Sequence, residues 1–420
     1  MSVSRNDSEL RRGWPVILAC FCVAVFAWGF GFYGQSVYLA ELHRLKGWPT
    51  SVIAAATTAF YLIGACLMPF VHTVMQRTGP RVVLLIGVAL LGVGACGFSG
   101  SAQVWQLFVA GAVMAGGWVL ATGTAIALTL ALWFDRQRGL ALSLALNGAS
   151  ASGFTVAPIL VHMSESVGLA DAIRRTVVVG LIILVPIILL CLRHIPTATI
   201  PRTGSASAPG EGVALSSRSE ALVNRRFWSV ALPFALGIAA QVGFIIHMIA
   251  FLLPRLGAAG TSLAVSMSSL AAMGGRLSLG VVVDRLPLRG TSAASFLSQA
   301  CGLCLMLAIP DRNAVLYIGV ILFGLSVGNV ITLPAILVQR EFAPRSFGLV
   351  VALSAAITQF TLALAPGAFG VLHDLAGDYR AVLVACMALQ LTAAVLVLNG
   401  PDRQRRRRNR PNAARVASDT

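Results

Sequence analysis

About twelve long apolar runs divide the 420-residue chain, and they constrain its fold more than any other feature. A bilayer-spanning helix needs roughly 20 mostly apolar residues, and each run approaches or exceeds that length. A mean hydropathy of +0.84 and a charged fraction of 11% exclude a water-soluble globular protein. Barrel strands would be about ten residues of alternating polarity, whereas these runs are apolar on all faces. The sequence predicts helical spans at 14–38, 50–74, 81–99, 105–133, 139–163, 176–192, 228–253, 262–283, 291–309, 314–338, 347–371 and 380–399.

Positive charge predicts the orientation. If both termini are cytoplasmic, most of the 31 Lys and Arg residues lie on the cytoplasmic side, as the positive-inside rule requires. This asymmetry also explains much of the net charge of +16, which could otherwise indicate nucleic-acid binding. We interpret the basic stretch Arg403 to Arg410 as a tail held at the anionic leaflet, and we expect no nucleic-acid partner. The chain is predicted to be a multi-pass membrane protein with both termini cytoplasmic, with the lipid bilayer as its surroundings.

A polar segment at 193–227 separates two sets of six spans. Its Ser, Pro, Gly and Ala residues are typical of a flexible loop. The predicted organisation is an N-terminal six-helix bundle (1–192), a cytoplasmic central loop (193–227), a C-terminal six-helix bundle (228–400) and a basic tail (401–420). QRTGPR at 76–81 and DRLPLR at 284–289 follow the second span of each half, which indicates an internal repeat.

The eighth span and the loop after it carry GRLSLGVVVDR at 275–285. This stretch resembles the Gly-Arg-x3-Gly-x3-Asp-Arg signature of the major facilitator superfamily. FAWGFGFYGQSVYL, GWPTSVIAAA, WFDRQRGLALSLALNGASASG and HMIAFLLPRLG further resemble bacterial relatives of the monocarboxylate and oxalate:formate transporters. The resemblance implies an all-α fold of two pseudo-symmetric bundles, a cavity between them, and transport by alternating access. It also implies a monomer in a bacterial inner membrane.

Arg276 lies inside a span, where a charge costs at least about 2.5 kcal/mol. It stands eight residues before Asp284, so at about 1.5 Å per residue it is roughly 12 Å deep, close to the midplane. A guanidinium in a wet cavity could bind a carboxylate bidentately, and the resemblance places Arg276 where both related groups use a helix-eight arginine. The alternative is a structural arginine that bonds to helix-end carbonyls or to Gln359.

Other polar or aromatic residues inside the spans are candidates to line the cavity and bind substrate, because amides in lipid are costly unless they face protein or water. They are Tyr33, Tyr61, Trp118, Asn147, Gln241, His247, Asn329 and Gln359. His247 could titrate in a coupling role, or could be a structural histidine. Ala272 stands where the proton-coupled relatives have an Asp. The related oxalate exchanger has a second cation, a Lys in helix eleven, whereas 347–371 contains no Lys. A dicarboxylate held by two cations is therefore disfavoured.

The charged loops predict gating contacts where the halves meet on the cytoplasmic side. The candidates are Gln76, Arg77, Arg81, Arg138, Asp284, Arg285, Arg289, Glu341 and Arg345. Asp284 with Arg285, and Glu341 with Arg345, could hold an outward-open state through charge pairs and helix-end contacts.

The sequence thus favours a transporter of a small organic anion, most simply a monocarboxylate, by symport, antiport or facilitated passage. No acidic residue lies deep in a span, so a coupling proton would use His247 or travel on the substrate. The alternatives are an exporter of neutral or hydrophobic compounds and a non-transporting membrane sensor. An enzyme is not expected, because no nucleophile, base and orienting group can be assembled, and neither a cofactor nor a metal site is expected.

Overall fold

The computed structural model describes residues 3–134, 137–193, 215, 217–282 and 285–400. The regular elements are helical throughout these ranges. A five-residue π-helical turn, Gly29–Tyr33, joins α1 to α2, and a 3₁₀ turn, Met68–Phe70, joins α3 to α4. The α-helices are α1 Val3–Trp28, α2 Gly34–Lys46, α3 Thr50–Leu67, α4 Val71–Ser99, α5 Val104–Ala121, α6 Gly123–Leu130, α7 Arg138–Val167, α8 Leu169–Cys191, α9 Arg218–Val223, α10 Arg225–Val282, α11 Leu288–Ala308, α12 Asn313–Glu341, α13 Pro344–Ala376 and α14 Arg380–Leu398.

Ten helical stretches in the described residues are long and apolar enough to cross a membrane. Two of them, Thr50–Ser99 and Arg225–Leu279, are 50 and 55 residues long and each contains two predicted spans. Gly79 (φ 81°) and Gly257 (φ 66°) interrupt these stretches with non-helical backbone at the positions predicted as loops. A positive φ is readily adopted only by glycine, so both chain reversals occur where the sequence supplies one. The all-helical fold is confirmed.

The helices pack within each half and across the boundary between the halves. In residues 1–192, α4 packs on α5 and α1 packs on α7; in residues 228–400, α11 packs on both α12 and α14. Across the boundary, α3 contacts α13 and α7 contacts α10. Large apolar side chains such as Val93, Ile182 and Leu190 are exposed on the outer surface, as expected of a surface that faces lipid.

The central segment and the tail are described only in part. The predicted loop at 193–227 contains the short helix α9, which its Ser217 side chain caps by accepting a hydrogen bond from the Glu220 N–H. The tail at 401–420 lies outside the described residues, and the domain boundaries stay a prediction.

Candidate functional site

A cavity of about 420 Å³ lies between the two halves. The first half lines it with α1, the π turn, α3, the 3₁₀ turn, α5, α6 and α7, and the second half lines it with α10, α12 and α13. Six of the nine predicted substrate-binding residues line this cavity: Tyr33, Tyr61, Trp118, Gln241, Arg276 and Gln359. The structure therefore brings residues from six of the predicted spans to one chamber.

Arg276 lies on α10, and it is the one charged residue among the described residues that line the cavity. Its Nε is buried and has no hydrogen-bond partner among them, and no ion pair to it is formed in the described part of the chain. Gly328 of α12 leaves room for this side chain, because a Cβ there would lie 2.9 Å from both Cβ and Nε of Arg276. The alternative in which Arg276 is bonded to Gln359 or to helix-end carbonyls has no support in these contacts.

Tyr33 is the last residue of the π turn, and its hydroxyl is close enough to Arg276 to interact with it electrostatically. Gly153 of α7 makes this placement possible, since a Cβ there would lie 1.9 Å from Ser269 Oγ and 2.8 Å from Tyr33 Cζ. Single π turns within helices often occur at functional sites. Residues from α7, α10 and the π turn thus meet at the depth of Arg276.

A chain of three buried glutamines ends at the cavity. The Gln390 amide donates to the Gly237 carbonyl (3.0 Å) and to Gln299 Oε1 (2.5 Å), and Gln299 Nε2 donates to Gln241 Oε1 (2.7 Å). A backbone carbonyl can only accept, so it fixes the direction of the whole chain. Gln241 Nε2 is left as a donor with no partner among the described residues, on a residue that lines the cavity.

The wall opposite Arg276 is aromatic. Trp28, Tyr61 and Trp118, which we call the aromatic shelf, all line the cavity from the first half. The ring centroid of Trp118 lies 5.3 Å from that of Trp28 and 6.2 Å from that of Tyr61. Trp118 lies directly on the backbone of Gly31, where a Cβ would be 2.4 Å from Trp118 Cε3.

The predicted span 105–133 is interrupted beside the cavity. Thr122 has extended backbone (φ −107°, ψ −164°) between α5 and α6, and Thr122, Gly123 and Thr124 all line the chamber. The Thr122 side chain does not cap α6, because its hydroxyl donates to the Trp118 carbonyl (2.8 Å). The first N–H groups of a helix carry a partial positive charge, so this break adds a weak attraction for anions to the first-half wall.

Three predicted residues, Asn147, His247 and Asn329, are not among those that line the cavity. His247 is buried, and its Nε2 is 3.2 Å from the carbonyl oxygen of Pro366, as a structural histidine would be. Conversely, sequence reasoning missed Ser354 and Thr358 of α13, which line the cavity. It also missed Gln299 and Gln390, although an amide in a membrane span was the signal that identified Gln241.

The cavity reaches the end of the bundle where α1 and α10 begin, which we call the terminal end. Val230, near the start of α10, and Val338, in the last turn of α12, both line it. At the opposite or far end, where α3 begins and α13 ends, side chains of the two halves meet. Asp374 accepts hydrogen bonds from the Thr50 hydroxyl and from the Ser51 N–H (2.8 Å).

Further contacts join the halves toward the far end. Thr58 Oγ1 accepts from the Gly367 N–H (3.0 Å), and Ser36 Oγ accepts from the Ile249 N–H (3.1 Å). His373 Nδ1 lies 2.8 Å from Thr50 Oγ1 across the boundary. Within the second half, Tyr379 packs on His373, with ring centroids 4.2 Å apart, and burial raises the pKa of the Tyr379 hydroxyl. The far end is therefore closed by packing and by direct hydrogen bonds.

Among the predicted gating residues, Glu341 and Arg289 form an ion pair. Glu341 is held by Arg289 through two contacts of 2.7 Å and by Arg226 at 3.4 Å, and these three residues belong to α12, α11 and α10. The pairing of Glu341 with Arg345 stays a prediction. Gln76, Arg77 and Arg285 are exposed, and Arg81 is half-buried. Asp284 and the side chains of Arg138 and Arg345 lie outside the described residues.

Comparison with known proteins decides the family. The model of the Major Facilitator Superfamily matches residues 17–347 and 259–418, and together these ranges cover nearly the whole chain. The chain belongs to the major facilitator superfamily. It is accordingly a multi-pass membrane transporter, and the resemblance seen in the loop signatures is confirmed.

Relatives within the superfamily are distant but extend over the full length. Human monocarboxylate transporter 11 is 25% identical over 93% of this chain and 83% of its own length. An uncharacterized MFS-type transporter of Bacillus subtilis, YcxA, is 23% identical over 92% of this chain and 95% of its own length. Among solved structures, a bacterial homolog of the human lysosomal transporter Spinster, in an inward-facing and unoccupied conformation, has a TM-score of 0.65 at 13% identity, covering 93% of this chain and 95% of that one.

Proposed function

We propose that this major facilitator transporter moves a small monocarboxylate across the bacterial inner membrane by alternating access. The observation that carries the proposal is the unpartnered guanidinium of Arg276 in the cavity between the halves. A buried cation without a counter-ion is costly, and an anionic substrate would remove that cost each time it bound. The relatives named monocarboxylate transporters support the same substrate class.

The chemistry of the walls favours one carboxylate over two. Arg276 can hold one carboxylate bidentately, and Tyr33 and Gln241 offer neutral donors for its oxygen atoms. A second carboxylate would need its own cation, and the described residues that line the cavity supply none. Gln241 is already aligned as a donor by Gln299 and Gln390, so it acts as a positioned ligand for the anion.

The direction of opening follows from the orientation predicted by the charges. With both termini cytoplasmic, the terminal end faces the cytoplasm, and the arrangement of the cavity is inward-facing. Substrate would leave or enter on that side while the far end is closed by Asp374, Thr50 and Ser51. No carboxylate side chain is present among the described residues that line the cavity, so none of them offers a carboxylate as the carrier of a co-transported proton.

Uptake by proteoliposomes and binding to the purified protein test this proposal. Arg276→Gln keeps hydrogen-bonding capacity without charge, and Arg276→Lys keeps the charge without the planar fork. Loss of a buried charged hydrogen bond costs about 2 kcal/mol, so we expect carboxylate affinity to fall by roughly 30-fold or more in Arg276→Gln, and by less in Arg276→Lys. Carboxylate transport that is equal in all three proteins would overturn the proposal.

The apolar character of the cavity favours a second candidate, an exporter of neutral hydrophobic compounds. Most residues that line the chamber are aliphatic or aromatic. In that case neutral lipophilic compounds would stabilise the wild-type protein and Arg276→Gln equally, and carboxylates would stabilise neither.

A further inference from the structure

The cavity provides one place for charge and a much larger surface for an apolar group. This inference rests on the proposed function and concerns what the rest of the carboxylate substrate looks like. Arg276 contributes the charge from the second half, while the aromatic shelf of Trp28, Tyr61 and Trp118 contributes apolar ring surface from the first half. The shelf rings are tilted, with the plane of Trp118 at 58° to that of Trp28 and at 83° to that of Tyr61, so they suit an aromatic group packed by edge-to-face or offset contact. A substrate that contacts both must be amphipathic.

The shelf is held rigidly in place. Trp118 is only 8% exposed, and its ring is fixed between the backbone of Gly31 and the rings of Phe60, at a centroid distance of 5.8 Å, and Trp28, at 5.3 Å. A rigid aromatic surface can stack a planar group without paying to order its own side chains. The second-half wall that faces it carries branched aliphatic residues, among them Ile238, Val242 and Val327.

The volume of the cavity also favours a bulky substrate. Its volume of about 420 Å³ lies within the range of roughly 300–1,000 Å³ that encloses drug-sized ligands. An acid of two or three carbons bound to Arg276 would leave the shelf in contact with water, and would gain none of the free energy of burying it. An aromatic ring attached to the carboxylate would displace that water.

We propose that the preferred substrate is a monocarboxylate with a bulky planar apolar body, such as an aryl or indolyl carboxylate. Its carboxylate binds Arg276, and its body stacks on the aromatic shelf. Arg276 belongs to α10 in the second half, and the shelf residues belong to α1, α3 and α5 in the first half. Such a molecule therefore contacts both halves at once. Short acids such as acetate and lactate bind the same cation with lower affinity.

The experiment is a binding series on the purified full-length protein, using acetate, lactate, cyclohexanecarboxylate, benzoate and 2-naphthoate, with 2-naphthamide as the uncharged analogue. Because 2-naphthoate buries much more apolar area than acetate, we expect it to bind roughly 100-fold more tightly. Cyclohexanecarboxylate, which is bulky but not planar, should bind less tightly than benzoate. The amide should bind at least about tenfold more weakly than 2-naphthoate, because it lacks the charge that Arg276 recognises.

Two tryptophan variants distinguish stacking on the aromatic shelf from nonspecific hydrophobic binding. Trp118→Leu should weaken binding of 2-naphthoate by roughly tenfold while changing acetate by less than about threefold, because only the larger ligand reaches the shelf. Trp105→Leu is the matched control, since Trp105 stands at the other end of α5, is 59% exposed and does not line the cavity. It should leave the whole series unchanged.

The outcomes distinguish this inference from the proposed function. Equal affinities for acetate and 2-naphthoate in the wild-type protein, or an unchanged ratio in a folded Trp118→Leu, would overturn the bulky substrate but leave Arg276 as a carboxylate site. If 2-naphthamide bound as tightly as 2-naphthoate, and Arg276→Gln changed neither, the carboxylate function itself would be wrong. Should Trp118→Leu fail to fold, the wild-type series decides the question alone.

Discussion

The two halves of this transporter have related topology, yet they present different chemistry to the cavity between them. The second half contributes Arg276 and the polarised chain of Gln241, Gln299 and Gln390. The first half contributes the aromatic shelf and a helix break. A repeated scaffold can thus divide recognition, with one copy specialised for charge and the other for shape.

Both halves hold their key residues through close contacts between helix backbones. A Cβ at Gly117, one residue before Trp118, would be 2.2 Å from the Leu91 backbone nitrogen. A Cβ at Gly275, one residue before Arg276, would be 1.9 Å from the Leu325 carbonyl oxygen. Two helix backbones in such contact cannot separate without repacking their interface. The position of the cation should therefore tolerate little change at Gly275.

Gly275→Ala tests the backbone contact beside the cation directly. The added methyl group would collide with the α12 backbone, so we expect a loss of about 2–4 kcal/mol in stability, together with loss of carboxylate binding. Thermal unfolding of the purified protein measures it.

Gly274→Ala provides the control. Gly274 is exposed, and a Cβ there would meet nothing within 4 Å. Because alanine is the better helix former, this variant should be as stable as the wild type or up to about 1 kcal/mol more stable. Similar melting temperatures for the two variants would show that the α10–α12 contact does not position Arg276.

The sequence predicted much of this arrangement and missed the rest for identifiable reasons. The runs of apolar residues and the charged loops were enough to place the helices, and the two glycines with non-helical backbone, Gly79 and Gly257, lie in segments predicted as loops. Arg276, Tyr33 and Trp118 were also placed correctly near the cavity, since a charge or an aromatic residue at the midplane stands out against aliphatic neighbours.

The sequence could not show which side of each helix faces the cavity. In helices that are apolar all round, the helical period does not show which side faces protein, lipid or cavity. Asn147 and Asn329 were therefore grouped with Gln241, although only Gln241 lines the chamber. The contacts of Gln299 with Gln241 and of Gln390 with Gln299 join residues far apart in the chain, so no local sequence pattern predicts them.

Gln299→Leu removes a polar contact from the second half alone, so it tests whether polar recognition is confined to that half. Without Gln299, the amide of Gln241 is free to rotate and present its oxygen to the anion. We expect the carboxylate dissociation constant to rise about five- to tenfold, corresponding to roughly 1 kcal/mol for one neutral hydrogen bond. Isothermal titration calorimetry measures the binding, and the maximal transport rate should change much less.

A first-half glutamine gives the matched control. Gln35 is fully buried and accepts a hydrogen bond from Thr57 (2.8 Å), but it does not line the cavity. Gln35→Leu should lower thermal stability without changing the affinity. If both leucine variants weakened binding equally, polar recognition would not be confined to the second half.

The smallest effect is expected where the halves touch at the far end. Asp374 of α13 accepts the Ser51 N–H at the start of α3, and so caps a first-half helix with a second-half carboxylate. Asp374→Asn keeps an acceptor but removes the charge that favours a helix N-terminus, which is worth about 0.3–1 kcal/mol. The open population at this end should therefore rise about two- to fivefold, measured as the maleimide labelling rate of Ser36→Cys in detergent with the eight native cysteines replaced.

Asp378→Asn is the control, because Asp378 bonds only locally to the Arg380 N–H among the described residues. Labelling that rose equally in both variants would mean that local charge, and not the cap between the halves, holds this end closed.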